Sequence, residues 1–252
     1  GKTVVNATGA WADHLLRSRN RTKRMVRPGK GVHLVYPGRI TNYAIVGTAI
    51  DGRQIFIMPH LSETWIGTTD DDYFGDPDNV PVLEDEVSYL LEGIRSILPE
   101  IDKYRISRTM VGCRPTLYKR QVTEDRLSRD HPIFDHENEG AKNLFSIVGG
   151  KLASYRIMSQ EVTDTICRRL GNRNSCETHR LPLPGGSPHD TSITPYLEQG
   201  LSHYTAQRIL SRHGDRSEQI LEMMRKIPGT RSLVCPTGPV TEAELRYVLR
   251  HE

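Results

Sequence analysis

The chain has 252 residues, 34 Lys plus Arg against 31 Asp plus Glu, and a formal net charge of +3. That length suits one large domain or two of ordinary size with a real core. The small charge excludes an argument for nucleic-acid binding from charge alone, and no run approaches the 18 or so apolar residues of a membrane-spanning helix. Four cysteines without a C-x-x-C pair are too sparse for a disulfide framework and point to a reducing compartment. The chain starts Gly-Lys-Thr-Val-Val without Met, as a fragment of a longer protein would.

In chain order, Thr3 to Ala7 is a short β-rich run ending in Thr8-Gly9, and Trp11, Leu15 and Leu16 then suit a short helix. Strand, glycine turn, helix is the grammar of an α/β domain. The stretch from Arg17 to Lys30 carries seven basic residues and no acid. It reads as solvated surface, with contact to anionic lipid or a partner subunit as the alternative. Between Val32 and Asp70 the period becomes two. Val32–Tyr36, Tyr43–Val46, Gln54–Pro59 and Thr64–Thr68 are expected strands, spaced too closely for crossover helices and therefore antiparallel. Asp70 to Glu86 holds eight acids and no base and is expected to be solvated loop surface; within it, Asp70-Asp71-Asp72…Asp76-Pro77-Asp78 lacks the spacing of a calcium loop and reads as a solvated turn.

Leu83, Val87, Leu90, Leu91, Ile94, Ile97 and Leu98 recur at helical spacing up to Pro99. Ile106–Cys113 is an expected strand, residues 119–142 a polar loop, Leu144–Val148 a strand, and Tyr155 to Leu170 a long helix ended by Gly171. Leu-Pro-Leu-Pro-Gly-Gly-Ser-Pro from Leu181 reads as a linker. Helices follow over Ala206–His213, Ser217–Lys226 and Thr241–His251, the last opened by a Thr241…Glu244 capping box.

Four pieces could carry chemistry on residue type alone. Gly9 and Gly149-Gly150 each let backbone turn closely after a strand. Lys151 then opens a helix, where the macrodipole does not favour a cation, which points to a ligand's negative charge. Arg114, at a strand end before Pro115, suits phosphate or carboxylate, with a surface ion pair as the alternative. His33, between Val32 and Leu34, is a candidate base near neutral pH or a structural histidine. Arg129 lies between acids and is expected to pair locally. No metal constellation, Ser-His-Asp arrangement, Walker loop or G-x-G-x-x-G fingerprint is present in the sequence.

The ordered series V-V-N-A-T-G-A-W (Val4–Trp11), G-K-G-V-H (Gly29–His33), I-G-T-T-D (Ile66–Asp70), G-C-R-P (Gly112–Pro115) and G-G-K-L-A-S-Y-R (Gly149–Arg156) resembles FAD-dependent glycerol-3-phosphate dehydrogenase over nearly the whole chain. The segments at Cys167–Asn172, His213–Arg216 and Arg231–Cys235 resemble the large subunit of the anaerobic branch. Pro236-Thr237-Gly238 lacks that branch's second nearby cysteine, so no iron–sulfur cluster is expected here.

The resemblance implies a fold of α/β plus α+β type. Residues 1–25 and 143–172 would belong to a partial FAD-binding Rossmann-like domain, and 26–142 to an antiparallel-sheet substrate domain. Residues 173–188 would be a linker and 189–252 a truncated C-terminal helical domain. It implies oxidation of sn-glycerol 3-phosphate to dihydroxyacetone phosphate by hydride transfer to flavin, with His33, Arg114 and Lys151 as catalytic residues. Arg114, Arg129 and His33 would hold substrate; Thr8, Gly9, Ala10, Gly149, Gly150, Lys151 and Leu152 would hold FAD. Without the family's N-terminal G-x-G-x-x-G unit, the fragment is expected to be inactive and to hold FAD weakly. Implied partners are a quinone or partner-subunit electron acceptor and a peripheral membrane contact, in a cytoplasmic protein on the membrane's inner face. The alternatives are another amino- or hydroxy-acid flavin oxidoreductase and a non-catalytic interaction module. Two departures stand out: Ala153 where many members carry a hydroxyl, and Thr116 where Leu is usual.

Overall fold

A computed structural model describes residues 1–17, 24–118 and 130–251. The chain divides into two compact units, Gly1–Asn174 and Ser175–Glu252.

The first unit holds two sheets. Strand β1 (Val4–Asn6) leads through a 3-10 turn at Gly9–Trp11 into helix α1 (Ala12–Arg17). The 12-residue strand β2 (Val26–Pro37) follows, then β3 (Ile45–Thr48), β4 (Gln54–His60), β5 (Glu63–Gly67) and the two-residue β6 (Asp71–Asp72). Helix α2 (Glu84–Ile97), strands β7 (Arg108–Leu117), β8 (Ile133–Asp135) and β9 (Leu144–Ile147), and helix α3 (Tyr155–Arg169) complete it.

The small sheet has the order β1-β9-β8, with β1 and β9 parallel and β8 antiparallel to β9. The large sheet is antiparallel, as the short spacings require, and β2 is its spine. One edge of β2 pairs with β7 from Val26 to Val35. The other is shared: β5 takes His33–Pro37 and β6 takes Gly29–Lys30. In the gap between them the Val32 amide donates to Thr69 Oγ1 at 3.0 Å.

Alternation sorts the large sheet into two faces. Val32, Leu34, Tyr36, Ile55, Ile57 and Ile66 are buried and pack with Leu90 and Ile94 of α2. The helix is pinned by a buried ion pair, Lys30 Nζ to Glu86 Oε2 at 2.7 Å, and the same oxygen accepts the Leu83 amide at 2.8 Å. Removing one partner of such a pair costs about 3–5 kcal/mol.

Three sequence expectations are corrected here. Strand β2 begins at Val26, six residues before the alternation becomes visible, because Arg27, Pro28, Gly29 and Gly31 carry no β signal although all four are paired with β7. A strand, β8, lies inside the expected polar loop. The basic run is not uniformly solvated: Arg27 pairs with Asp72 and Lys30 is 4% exposed, while residues 18–23 lie outside the described residues.

The second unit is helical: α4 (Thr194–Leu197), α5 (His203–His213), α6 (Ser217–Lys226) and α7 (Glu242–His251). Its core is Tyr196, Ile209, Ile220, Leu221, Met224 and Tyr247 with their neighbours. The Thr241 hydroxyl accepts the Glu244 amide at 3.2 Å, but the Glu244 carboxylate turns inward to Arg208 and His213 rather than back to the cap. The Pro/Gly-rich stretch from Leu181 is docked within this unit. The Asp215 amide donates to the Gly185 carbonyl at 3.2 Å, and a Cβ on Gly214 would lie 1.8 Å from that oxygen.

Candidate functional site

The face of the large sheet opposite α2 is floored by glycine. His33 lies opposite Gly67 on β5 and Met110 on β7, and Gly31 opposite Gly112. A Cβ on Gly67 would sit 2.6 Å from His33 Cδ2, so the imidazole lies directly on that backbone. A Cβ on Gly31 would sit 2.4 Å from Arg114 Nη2, so the guanidinium crosses β2 over Gly31. It reaches the segment between β5 and β6. Nη1 donates to Asp70 Oδ1 at 2.8 Å, Nη2 to Thr68 Oγ1 at 2.9 Å, and both reach the Thr69 carbonyl at 3.3 Å. Four donations fix the plane of the group and leave Nε–H outside this set.

The acidic run is a solvated turn only in part: Asp76 and Asp78 are exposed, whereas its first three carboxylates are paired. Asp70 holds Arg114, Asp71 holds Arg53 at 3.0 Å, and Asp72 holds Arg27. Three consecutive carboxylates tie together residues from β7, the β3–β4 turn and the start of β2. Asp70 and Thr68 were not among the expected site residues; the I-G-T-T-D run beside an arginine-bearing strand was the signal available for them.

Burial first and the Arg114 charge second hold the His33 pKa below its ordinary value of 6.5. The imidazole is thus neutral near pH 7, as a proton acceptor must be. Cys113, on the opposite face beside Lys30, is pushed up by burial, which makes it a poor nucleophile.

Arg114, Pro115 and Thr116 line a cavity of about 400 Å³ with Gly149, Gly150, Lys151 and Leu152. Gly149 and Gly150 both have positive φ, +85° and +80°. A Cβ on the first would meet the Asp130 carbonyl at 2.3 Å, and on the second the Met158 sulfur at 2.5 Å. Glycine is required at both positions. The two-glycine turn carries Lys151 to the start of the 3-10 turn Leu152–Ser154, where its side chain is exposed and Leu152 is 92% exposed.

The expected site residues thus fall into groups. Arg114 and Gly149–Leu152 share one cavity, and His33 lies on the same sheet face as Arg114. Thr8, Gly9 and Ala10 do not line that cavity, although their turn packs against β7 and β2. Gly9 has φ +61° and open space where a Cβ would be, while Ala10 is buried. Arg129 lies outside the described residues. Helix α3 has no buried residue, and its Tyr155 and Ile157, the Leu170 that caps its C-terminus and Val4 of β1 are exposed.

Residues 1–154 match the family of FAD-dependent oxidoreductases, and residues 176–252 match the C-terminal domain of alpha-glycerophosphate oxidase. A subunit of the anaerobic glycerol-3-phosphate dehydrogenase from Escherichia coli K12 is 34% identical over 252 residues, covering 98% of this chain and 45% of that protein. Glycerol-3-phosphate dehydrogenase of Synechocystis is 28% identical over 266 residues, covering 99% and 48%. The crystal structure of the Bacillus halodurans glycerol-3-phosphate dehydrogenase complexed with FAD superposes with a TM-score of 0.70 at 27% identity, over 87% of this chain and 44% of that one. The chain spans about half the length of the relatives it matches.

Proposed function

The chain belongs to the FAD-dependent oxidoreductase family, and on that premise we propose that the protein of which it forms part oxidises sn-glycerol 3-phosphate at C2 to dihydroxyacetone phosphate. The observation that carries this reading is the pairing of a neutral His33 with a braced Arg114 on one glycine-floored face. A base for a hydroxyl and a guanidinium for an anion are what a phosphorylated alcohol needs.

The residues fit the cofactor. Gly9 offers Cβ-free backbone at the end of β1, Gly149 and Gly150 offer it at the end of β9, and Lys151 brings a cation to the cavity that those last two line. When bound, FAD supplies the hydride acceptor. Lys151 would offset the charge that the ring gains on reduction. Arg114, with Arg129 as a second cation, would hold the phosphate, and an imidazole nitrogen of His33 would take the C2 hydroxyl proton. Thr8, Gly9, Ala10 and Leu152 would complete the cofactor contacts. The exposed side of α3 and the outer edge of β1 would pack against the remainder of the FAD-binding domain, which accounts for their apolar surface.

The electron acceptor in this reading is a quinone or a partner subunit. A peripheral membrane contact belongs to the same reading; among the described residues no helix is long and apolar enough to cross a membrane.

The test is an anaerobic visible spectrum of the complete, FAD-loaded protein on addition of sn-glycerol 3-phosphate. Loss of the oxidised flavin band is the expected result. A band unmoved by this substrate but bleached by a hydroxy- or amino-acid would transfer Arg114 to a carboxylate and overturn the proposed substrate.

A further inference from the structure

The small sheet encloses a chain of hydrogen bonds that the proposed chemistry does not use. Asn6 on β1 lies level with Ser146 on β9, and Ser146 lies opposite Phe134 on β8, two residues before His136. Asn6, Ser146 and His136 are each 1% exposed or less. Thr8 Oγ1 donates to Asn6 Oδ1 at 2.7 Å, and Asn6 Nδ2 donates to Ser146 Oγ at 3.2 Å and to the Ala12 carbonyl at 2.9 Å. Ser146 Oγ lies 2.8 Å from His136 Nε2, and His136 Nδ1 lies 3.0 Å from Glu139 Oε2.

The grouping Ser146–His136–Glu139 has the connectivity of a hydrolase triad, but Ser146 is 0% exposed and cannot meet a substrate. Its direction is informative instead. Ser146 Oγ accepts from Asn6 Nδ2 and shares a hydrogen bond with His136 Nε2, and Glu139 holds the far side of that ring through Nδ1. The Asn6 amide nitrogen thus faces two acceptors, the Ser146 hydroxyl oxygen and the Ala12 carbonyl. That fixes Asn6 Oδ1 toward Thr8, where it takes both the hydroxyl and, at 3.3 Å, the amide. Thr8 makes no side-chain cap of the 3-10 turn that follows; its hydroxyl points back to Asn6. The conformation of Thr8-Gly9 therefore depends on which way the Asn6 amide points.

We propose that Ser146 and His136 are positioning residues for the Asn6–Gly9 turn and, through it, for the FAD contacts made there. This rests on the reading of that turn as part of the cofactor site. Neither residue touches cofactor or substrate; each acts by orienting the next group in line.

The test uses the complete protein and its Ser146→Ala variant. FAD affinity is measured by flavin fluorescence and backbone order by amide hydrogen exchange. The substitution removes one buried hydroxyl from the line. The expected result is FAD binding about tenfold weaker, the scale of a single buried hydrogen bond. Exchange should rise in the peptide spanning residues 6–11 and stay unchanged in that spanning 149–154. His136→Gln, which keeps a side-chain amide near the imidazole, should lose less affinity than His136→Phe, and this pair decides the matter if Ser146→Ala does not fold. Unchanged affinity with unchanged exchange at 6–11 overturns the proposal. So does exchange that rises equally through β8, β9 and α3, the mark of a purely structural role. A complete protein that carries no FAD defeats the cofactor reading, while the exchange of residues 6–11 still decides whether Ser146 orders the turn.

Discussion

The large sheet uses glycine on both of its faces, and what fills the vacated space differs. Toward α2, a Cβ on Gly47 would strike Ile97 Cδ1 at 2.1 Å and one on the helical Gly93 would strike Ile55 Cδ1 at 2.4 Å. There the missing side chains admit hydrocarbon. On the opposite face, Gly31 admits the Arg114 guanidinium and Gly67 the His33 ring. The first face gains close packing. The second lowers two polar groups onto backbone, where the neighbours can fix their orientation and their charge. One spine, β2, serves both, because successive residues point to opposite sides.

Breaking the two faces separately should give separable losses. The largest effect is expected from Ile94→Ala in the α2 face, where a fully buried side chain is removed. Unfolding free energy should fall by about 3 kcal/mol, read by denaturant titration, with KM unaltered. Loss of KM with intact stability would show that the faces are not independent. Arg114→Ala should raise KM for glycerol 3-phosphate about a hundredfold while leaving glycerol little changed, on the scale of a charged pair deprived of one partner. Equal effects on both substrates would remove Arg114 from phosphate binding.

Gly31→Ala sharpens the comparison, since the added methyl meets the far end of a flexible side chain rather than backbone. Stability should hardly change, but the guanidinium must leave its place, and KM should rise about tenfold, equivalent to 1.4 kcal/mol. The smallest effect concerns His33. The acid limb of kcat/KM should lie below pH 6.5 and move upward toward it in Arg114→Gln, by the lesser part of the displacement, because burial is the larger cause. The same shift makes the unfolded chain bind a proton that the folded one refuses. The stability attached to His33 is therefore complete above pH 6.5 and is lost as pH falls through that value toward the folded pKa. A limb above 6.5 would contradict the neutral imidazole.

The α2 face was legible from the sequence because its residues alternate or recur every three to four positions, and α2, α3 and the last three helices lie close to where periodicity puts them. The other face was legible only in its chemistry-bearing types, His33 and Arg114. Its floor reads as poor strand, so the first half of β2 passed unnoticed. The aspartates at 70–72 read as solvent-facing because a run of like charges shows nothing of partners 18 to 45 residues away. The Ser146–His136 contact was invisible for a related reason: Ser146 lies on β9 and His136 directly follows its antiparallel partner β8, a strand of three residues with no pattern. Their proximity follows from register, and composition does not encode register.

In the second unit, Gly185 and Gly214 meet backbone to backbone, with no side chain from either in the contact. Most packed pairs can drift over evolutionary time, one partner shrinking as the other grows. This pair has nothing left to shrink, so no second substitution can compensate for a first. A search for correlated changes between related sequences would find no variation at either position to correlate. The crossing that anchors the Pro/Gly-rich stretch to its helices would thus leave no trace in such a record.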